Sequence, residues 1–464
     1  MLQIINDLLN NIPDYKEFLT VDEMDENSKR LAANYPETTE IFEIGKTRGG
    51  CPLYCLKIGD GPKNALAFGL PHPNEPIGAM MLEYLSAELA KSKALIDAIG
   101  YTWYIVKAWD VDGAKLNEDW FKGPYNIYNY ASNFFRPAGH QQVDWTFPID
   151  YKELHFHDTL PETVAMMNLI DQVKPSFIYS LHNAGFGGAY WYITKECPEV
   201  YEDMHKAATK NGIPLSLGEP EMPSCVTLAP AIYQAMGITT EYDYMEKYSG
   251  MDMKEVVEIM RVGTCSAQYA SERFDSFTLI TELPYFYDKR IDSQQETDMI
   301  RRDAVLKKLD LNKQSKQEVL DILSISKEYI APENPFWLAI ESFTDFDSAL
   351  EPTTRSMVEQ SPEYQRNATE AEVFDNLYMS RFYDSLMYGL LLRANITELE
   401  KMDSSGESNE AKRATLGKAG DEAKKALKTL ADYLEEQLDY AVIPIKKLVA
   451  LQLECGLLLA EHLK

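Results

Sequence analysis

Apolar, strand-like runs that end near a metal-binding or acidic side chain constrain the fold of this 464-residue chain more than any other feature. The run at residues 64–70 leads into His72 and Glu75, the run at 176–181 into His182, and the run at 276–281 into Glu282. Further strand-like runs occupy 103–109 and 190–193, and helical patterns occur at 76–92 and 161–172. This alternation predicts an α/β fold with a mixed central sheet flanked by helices, and with ligand-type side chains at strand ends.

His72, Glu75 and His182 form the ligand set of a candidate zinc site. Two neutral imidazoles and a carboxylate supply three ligands and leave a fourth position for water, as in hydrolytic zinc sites. Pro73 restrains His72 toward an extended backbone, and the helical pattern that follows places Glu75 at a positively polarised helix start. Both side chains of the His-x-x-Glu step can therefore point to one place. Glu282, at the end of the third run, is the candidate general base.

The order of these residues resembles that of the zinc carboxypeptidases of the carboxypeptidase A type, in a divergent, bacterial-like branch. The matching features, in chain order, are His72 and Glu75, the Asp112-Gly113 turn, Arg136, His182 and Glu282. They extend over roughly residues 40–290. Residues 71–78 are also similar to the corresponding step of the aspartoacylase and succinylglutamate desuccinylase branch.

The resemblance implies a hydrolase that holds one zinc ion per chain and cleaves peptide or peptide-like amide bonds. It implies that zinc on the three ligands activates water, and that Glu282 acts as general base and then as general acid. Arg136 is expected to share the developing oxyanion charge with the metal. The aromatic and polar segment at 115–137 is expected to form a wall of the cleft. The expected substrate is a peptide or a small amide, such as an amino-acid conjugate or a cell-wall fragment.

The sequence departs from the family at the Asn-Arg pair that binds a substrate's terminal carboxylate. Thr146 and Phe147 stand where this pair is expected. Arg261 and Arg273, on the segment that leads into the third run, are candidates for a relocated carboxylate-binding group. We therefore expect dependence on a free C-terminal carboxylate to be weak, or to be served by one of these two arginines.

Several alternatives stay open at the level of the sequence. His155 and His157, which alternate just before Asp158, form a rival metal site. Tyr248 and Tyr269 are two candidates for the tyrosine that the family carries shortly before its general base. For the function, the alternatives are a zinc deacylase of small N-acyl amino acids and a non-catalytic module that binds zinc or peptide. The motifs H-E-x-x-H, G-x-S-x-G and G-x-x-x-x-G-K-[ST] do not occur in the sequence.

Composition and charge restrict the binding partners and the cellular location that we expect. The formal net charge of −28 disfavours binding to nucleic-acid backbones and to anionic membranes. The six cysteines show no paired C-x-x-C spacing, which favours reduced thiols. The N-terminal residues lack the basic start of a secretory signal, and no apolar stretch is long enough to cross a bilayer. We therefore expect a cytoplasmic enzyme.

The patterns divide the chain into three regions. Residues 1–36 are expected to form a helical segment, 37–292 the catalytic domain, and 293–464 a helical C-terminal domain. The catalytic domain begins with a predicted hairpin at 41–44 and 53–58. Helical patterns in the third region occur at 297–309, 315–329, 370–394, 421–440 and 444–462, with a loop at 403–409. We interpret this region as a stabilising or dimerising module, so that a homo-oligomer formed through it is an open alternative.

Overall fold

A mixed nine-stranded sheet forms the centre of the part of the molecule that the structure describes. The computed structural model describes the backbone of residues 2–464 and the side chains from residue 4 onward. The strands are, in chain order, β1 (Thr39–Lys46), β2 (Pro52–Ile58), β3 (Lys63–Phe68), β4 (Tyr101–Val106), β5 (Ile149–Tyr151), β6 (Leu154–Phe156), β7 (Phe177–His182), β8 (Tyr190–Ile193), β9 (Thr227–Ala229), β10 (Ile232–Gln234), β11 (Phe277–Glu282), β12 (Phe286–Tyr287), β13 (Glu296–Ile300), β14 (Asn367–Thr369) and β15 (Ala441–Val442). The order in the large sheet is β1-β2-β4-β3-β7-β11-β8-β10-β9.

The four neighbouring strands β4, β3, β7 and β11 run parallel to one another. Their carboxyl ends therefore meet at one edge of the sheet, which is where such sheets bind ligands. All six residues of β7 are buried, and buried parallel strands read as continuous apolar runs. The strands predicted at 64–70, 176–181, 190–193 and 276–281 and the hairpin of β1 with β2 are confirmed, whereas the strand predicted at 103–109 is β4 and ends earlier, at Val106.

Helices cover both faces of the sheet. The α-helices are α1 (Leu2–Asn10), α2 (Val21–Asn34), α3 (Ile77–Lys91), α4 (Lys93–Ile99), α5 (Val111–Lys115), α6 (Glu118–Phe121), α7 (Ile127–Asn133), α8 (Pro161–Val173), α9 (Pro198–Asn211), α10 (Ile238–Tyr248), α11 (Met253–Met260), α12 (Ser266–Phe274), α13 (Arg301–Ser326), α14 (Pro335–Gln360), α15 (Glu370–Phe374), α16 (Ser380–Ser405), α17 (Glu410–Gln437) and α18 (Ile445–His462). Leu66 and Ile178 pack toward α8 and α12, whereas Ala67 and Tyr179 pack toward α3 and α18. The predicted mixed sheet flanked by helices is confirmed.

The C-terminal region is helical, as predicted, but its elements differ from the prediction. The helices predicted at 297–309 and 315–329 are a single helix, α13, preceded by β13, because no Gly or Pro interrupts residues 301–326. β13 forms by pairing with β14, a contact between distant parts of the chain. α14 was not predicted, and it begins where Asn334 accepts the Phe336 amide at 3.1 Å. None of the described helices is both long and apolar enough to cross a membrane.

α18, at the end of the chain, packs on the central sheet. Tyr179 of β7 donates its hydroxyl to the Gln452 carbonyl at 2.7 Å. Gly456 allows this approach, because a β-carbon there would lie 2.4 Å from the Tyr179 ring. The hydrophobic core thus includes residues from the first and third predicted regions as well as the second. The predicted boundaries at 36/37 and 292/293 stay a prediction, and Met1 of the first region lies outside the described residues.

Candidate metal centre

The chain segment after β3 brings His72 and Glu75 to the edge where the parallel strands end. Gly69 makes a close turn, since a β-carbon there would lie 2.7 Å from the Ala79 nitrogen. The following turn is closed by the Glu75 amide, which donates to the His72 carbonyl at 3.1 Å. α3 begins directly after this turn. Both side chains of the His-x-x-Glu step are therefore held by one short, well-anchored segment.

Two further predicted site residues are the last residues of two neighbouring strands. His182 ends β7 and Glu282 ends β11, and the parallel register pairs them directly. Paired residues project from the same side of a sheet. The distance between His182 Nδ1 and Glu282 Oε1 is 3.7 Å.

His72, Glu75 and His182 converge as the sequence predicted. One ligand atom of each lies within 4.8 Å of the ligand atoms of the other two. His182 Nδ1 is 3.1 Å from Glu75 Oε2, and the two imidazole centroids are 4.9 Å apart. All three residues are buried, with exposed fractions of 4%, 1% and 6%. Two imidazoles and a carboxylate in this arrangement match the ligand set of a catalytic zinc site.

Both imidazoles have a ring nitrogen that is free to bind a metal, and His72 also has the protonation state that a metal requires. The Nδ1 atoms of His72 and His182 are buried and form no hydrogen bond, although His182 Nδ1 lies 3.1 Å from Glu75 Oε2. Burial, followed by the positive charges of Arg136 and His182, lowers the pKa of His72 well below its usual value. A neutral imidazole with a free lone pair is the form that binds metal. A buried nitrogen without a partner is also costly, and a zinc ion would remove this cost. The residues present therefore fit zinc.

Neighbouring hydrogen bonds orient the ligand set. Ser180 Oγ lies 2.8 Å from His182 Nε2, so this contact occupies Nε2 and leaves Nδ1 facing the centre. The Asn183 amide donates to Glu75 Oε2 at 3.1 Å. Asn183 Oδ1 accepts the Ile77 amide at 3.0 Å and so ties β7 to the start of α3. Such outer contacts fix ligand orientation in metal sites. No motif indicates these roles; the one signal in the sequence is that Ser180 and Asn183 lie within two residues of His182.

Glu282 lies in an environment that disfavours its charge. It is 8% exposed, and burial raises the pKa of its carboxyl well above the usual value. The carboxylates of Glu75 and Glu221 raise this pKa further, and the Arg136 guanidinium opposes them. A carboxyl group with a raised pKa next to a metal-ligand set has the properties of a proton-transfer group.

Arg136 joins the same centre from the segment between α7 and β5. Its Nη1 donates to Glu75 Oε1 at 3.2 Å, and its Nε donates to Gln142 Oε1 at 3.2 Å. The side chain is 28% exposed, so it is partly accessible from solvent. A guanidinium has five N–H donors, and these two bonds leave others for a substrate oxygen.

The two residues at the place of the family's Asn-Arg pair are engaged inside the fold. Thr146 Oγ1 lies 2.7 Å from Thr163 Oγ1, and Phe147 is fully buried. Neither candidate arginine contacts the centre. Arg273 pairs with Asp171 at 3.4 Å and Arg261 donates to the Glu258 carbonyl at 2.9 Å. Among the described side chains, Arg136 is the one basic group that contacts the ligand set.

The rival residues lie elsewhere. His155 and His157 are exposed, and both contact the carboxylate of Asp150, at 2.8 and 3.1 Å, rather than Asp158. Tyr269 donates its hydroxyl to Asp171 at 3.0 Å. Tyr248 packs against Tyr244, with ring centroids 5.2 Å apart. None of these four side chains contacts the His-Glu-His set.

Asp144 is a further buried acid near the centre that the sequence did not select. Its Oδ1 accepts the Ser266 amide at 2.7 Å. Burial raises the pKa of Asp144 to about 6, and a positive charge on His182 opposes this rise. Asp144 therefore lies within electrostatic reach of one of the ligands. The signal in the sequence was its position two residues before Thr146, beside the expected Asn-Arg pair.

Solved structures similar to this chain include carboxypeptidases and a murein-tripeptide amidase. Carboxypeptidase A from Helicoverpa armigera is 15% identical over 61% of this chain and 71% of its own, with a TM-score of 0.33. A metallo-carboxypeptidase from Burkholderia cenocepacia is 15% identical over 57% of this chain and 60% of its own, with a TM-score of 0.32. The murein-tripeptide amidase from Escherichia coli O157 is 16% identical over 58% of this chain and 89% of its own, with a TM-score of 0.27.

Comparison with family models gives a match over half of the chain. The zinc carboxypeptidase model matches residues 24–259, a segment that holds His72, Glu75, Arg136 and His182 and ends before Glu282. The comparison with curated protein sequences gives no match. Since the matched segment covers just over half of the chain, the protein belongs to the zinc carboxypeptidase family.

Proposed function

We propose that the protein is a zinc-dependent hydrolase of peptide or peptide-like amide bonds. One observation carries this proposal: a buried His-Glu-His set with two unpaired Nδ1 atoms lies beside a buried carboxyl group, Glu282, and a partly exposed guanidinium, Arg136. A metal-ligand set, a proton-transfer group and a cation for an oxyanion are the parts that metal-assisted amide hydrolysis requires.

In this proposal His72, Glu75 and His182 hold the zinc ion. A bound zinc ion supplies Lewis acidity, which makes water more acidic and a carbonyl group more electrophilic. The Asn183 and Arg136 bonds hold both Glu75 oxygens in place. The ligand geometry is thus set by the protein before substrate arrives.

Glu282 is proposed to move the proton. As a carboxylate it accepts a proton from the attacking water, and as a carboxylic acid it returns this proton to the departing amine nitrogen. Its burial favours the second role, because the protonated form is the more stable one in this environment. Arg136 is proposed to donate N–H bonds to the oxyanion that forms on the former carbonyl.

The test is hydrolysis by purified protein of two substrate panels, N-acyl dipeptides and N-acyl amino acids. We expect release of the C-terminal amine component from the dipeptides, loss of this activity with a chelator, and recovery after addition of zinc. Preference for the N-acyl amino acids would favour the deacylase alternative. Absence of zinc-restored hydrolysis in both panels would contradict the proposal and favour a non-catalytic binding module.

A further inference from the structure

Three tyrosines lie on the two strands that follow the Glu282 strand in the order of the central sheet. In the antiparallel register of β11 and β8, Glu282 is paired with Tyr190. Directly opposed residues on neighbouring strands project from the same side, with β-carbons about 5 Å apart. Tyr192, two residues further along β8, projects from the same side as Tyr190. The side chains of Glu282, Tyr190 and Tyr192 therefore project from the same face of the sheet.

A third tyrosine from the next strand completes an aromatic cluster. Tyr233 of β10 is paired with Tyr192. The ring centroids are 5.8 Å apart for Tyr190 and Tyr192, 5.5 Å for Tyr192 and Tyr233, and 6.3 Å for Tyr190 and Tyr233. The planes of Tyr190 and Tyr192 are inclined by 80°. We call these three residues the tyrosine cluster. None of the described Lys or Arg side chains lies over any of its rings.

The carboxylate of Glu221 sits on the tyrosine cluster. The Tyr192 hydroxyl donates to Glu221 Oε2 at 2.9 Å, and the Tyr190 hydroxyl lies 3.5 Å from the same oxygen. Among the described residues, no basic side chain pairs with Glu221. The neighbouring Glu219 differs in this respect, because Arg301 binds it at 2.5 Å. Glu221 is also exposed, so its charge is accessible from solvent.

Tyr190 connects Glu221 with the proposed proton-transfer group, Glu282. The Glu221 Oε2 atom lies 3.5 Å from the Tyr190 hydroxyl, and Tyr190 is paired with Glu282 on the neighbouring strand. Arg136, the basic group that contacts the ligand set, pairs with Glu75 rather than with Glu221. The Glu221 carboxylate therefore has tyrosine hydroxyls as neighbours and no basic partner among the described residues.

We propose that Glu221 and the tyrosine cluster bind a cationic group of the substrate, an ammonium or a guanidinium, next to the bond that is cleaved. A carboxylate and aromatic faces together are suited to such a group, through a charge-assisted hydrogen bond and cation–π contact. A substrate carboxylate is disfavoured at the same place. This inference rests on the hydrolase function proposed above and adds the class of side chain that the enzyme selects.

The test compares two substrates that differ by one terminal ammonium group. N-acyl dipeptide amides with a C-terminal lysine or norleucine are hydrolysed in parallel by the zinc-loaded protein. We expect the lysine substrate to have the higher kcat/KM. In Glu221→Gln the ratio of the two kcat/KM values should fall about 10- to 100-fold, as for the loss of a hydrogen bond to a charged group. In Glu255→Gln, an exposed glutamate on α11, the ratio should stay at the wild-type value.

Tyr192→Phe gives a second, milder perturbation. It removes the hydroxyl that donates to Glu221 while keeping the ring, and the ratio should fall by several fold, less than in Glu221→Gln. An equal preference for lysine and norleucine in the wild-type protein would overturn the inference. A preference for lysine that is unchanged in Glu221→Gln would also overturn it.

A binding measurement separates this inference from the proposed hydrolase function. Lysinamide and norleucinamide are titrated by calorimetry into zinc-loaded wild-type and Glu221→Gln proteins. Stronger binding of lysinamide that depends on Glu221 supports the cation site even if no substrate is cleaved, in which case the hydrolase function fails. Hydrolysis without any charge preference, and without preferential lysinamide binding, leaves the hydrolase function intact and refutes the cation site.

Discussion

Replacement of Glu282 by glutamine removes the proposed proton-transfer group and leaves the shape of the side chain almost unchanged. The other carboxylates near the ligand set are already engaged. Glu75 is bound by Arg136 and by the Asn183 amide, and Asp144 accepts the Ser266 amide. No described acid is therefore positioned to take over from Glu282. General acid–base catalysis contributes about 10²- to 10⁴-fold to a rate, so we expect kcat/KM to fall within this range.

The protein itself should tolerate this change. Glu282 is a buried carboxyl group close to a second carboxylate, and its raised pKa reflects both unfavourable factors. Neutral glutamine avoids both of them, so the variant should fold and should retain zinc. The fall in rate corresponds to roughly 3–5 kcal/mol of lost transition-state stabilisation.

The assay measures kcat/KM on one N-acyl dipeptide, zinc content and thermal unfolding for wild type, Glu282→Gln and the control Glu255→Gln. The control removes an exposed carboxylate on α11 and should match wild type in all three measurements. If Glu282→Gln retains zinc and keeps kcat/KM within a few-fold of wild type, Glu282 is not the general base.

Three further variants test other parts of the account. Arg136→Ala should keep zinc and lower kcat about 10²- to 10³-fold, measured by steady-state kinetics; unchanged kcat would exclude an oxyanion role. Burial raises the pKa of Asp110 to about 7 in the folded protein. The folded state therefore binds this proton more tightly than the unfolded chain does. The free energy of unfolding of the wild type should accordingly fall as the pH rises from about 4 to 7. Asp110→Asn should flatten this slope in chemical unfolding curves, and an unchanged slope would rule out this carboxyl as its source. Asn334→Ala should lower the free energy of unfolding by about 2–4 kcal/mol, because Asn334 caps α14 and donates to buried Glu398 at 2.7 Å. A loss of less than about 1 kcal/mol would contradict this expectation.

The ligand set could be predicted because each member follows an apolar run of the central sheet. His182 and Glu282 come at the ends of buried strands, and parallel strands bring such ends together whatever the intervening sequence. The His-x-x-Glu spacing then added His72 and Glu75. Local pattern and topology were sufficient for these residues.

Other features depend on contacts that no local pattern reveals. Glu221 lies in a segment without regular structure, and its place beside Tyr192 results from the packing of a loop on β8. β13 exists only through its pairing with β14, so a helix was predicted in its place. α14 contains Pro352, which in a sequence indicates a helix end rather than a helix interior.

The central claim, a zinc site made of His72, Glu75 and His182, is tested most directly by metal analysis of purified protein. We expect about one zinc per chain in the wild type and loss of stoichiometric zinc in His72→Ala and in His182→Ala. The double variant His155→Ala with His157→Ala is the matched control, since it removes two exposed imidazoles, and should keep about one zinc per chain. Full zinc content in both single variants, with loss of zinc in the double variant, would contradict the account and place the metal at the surface site.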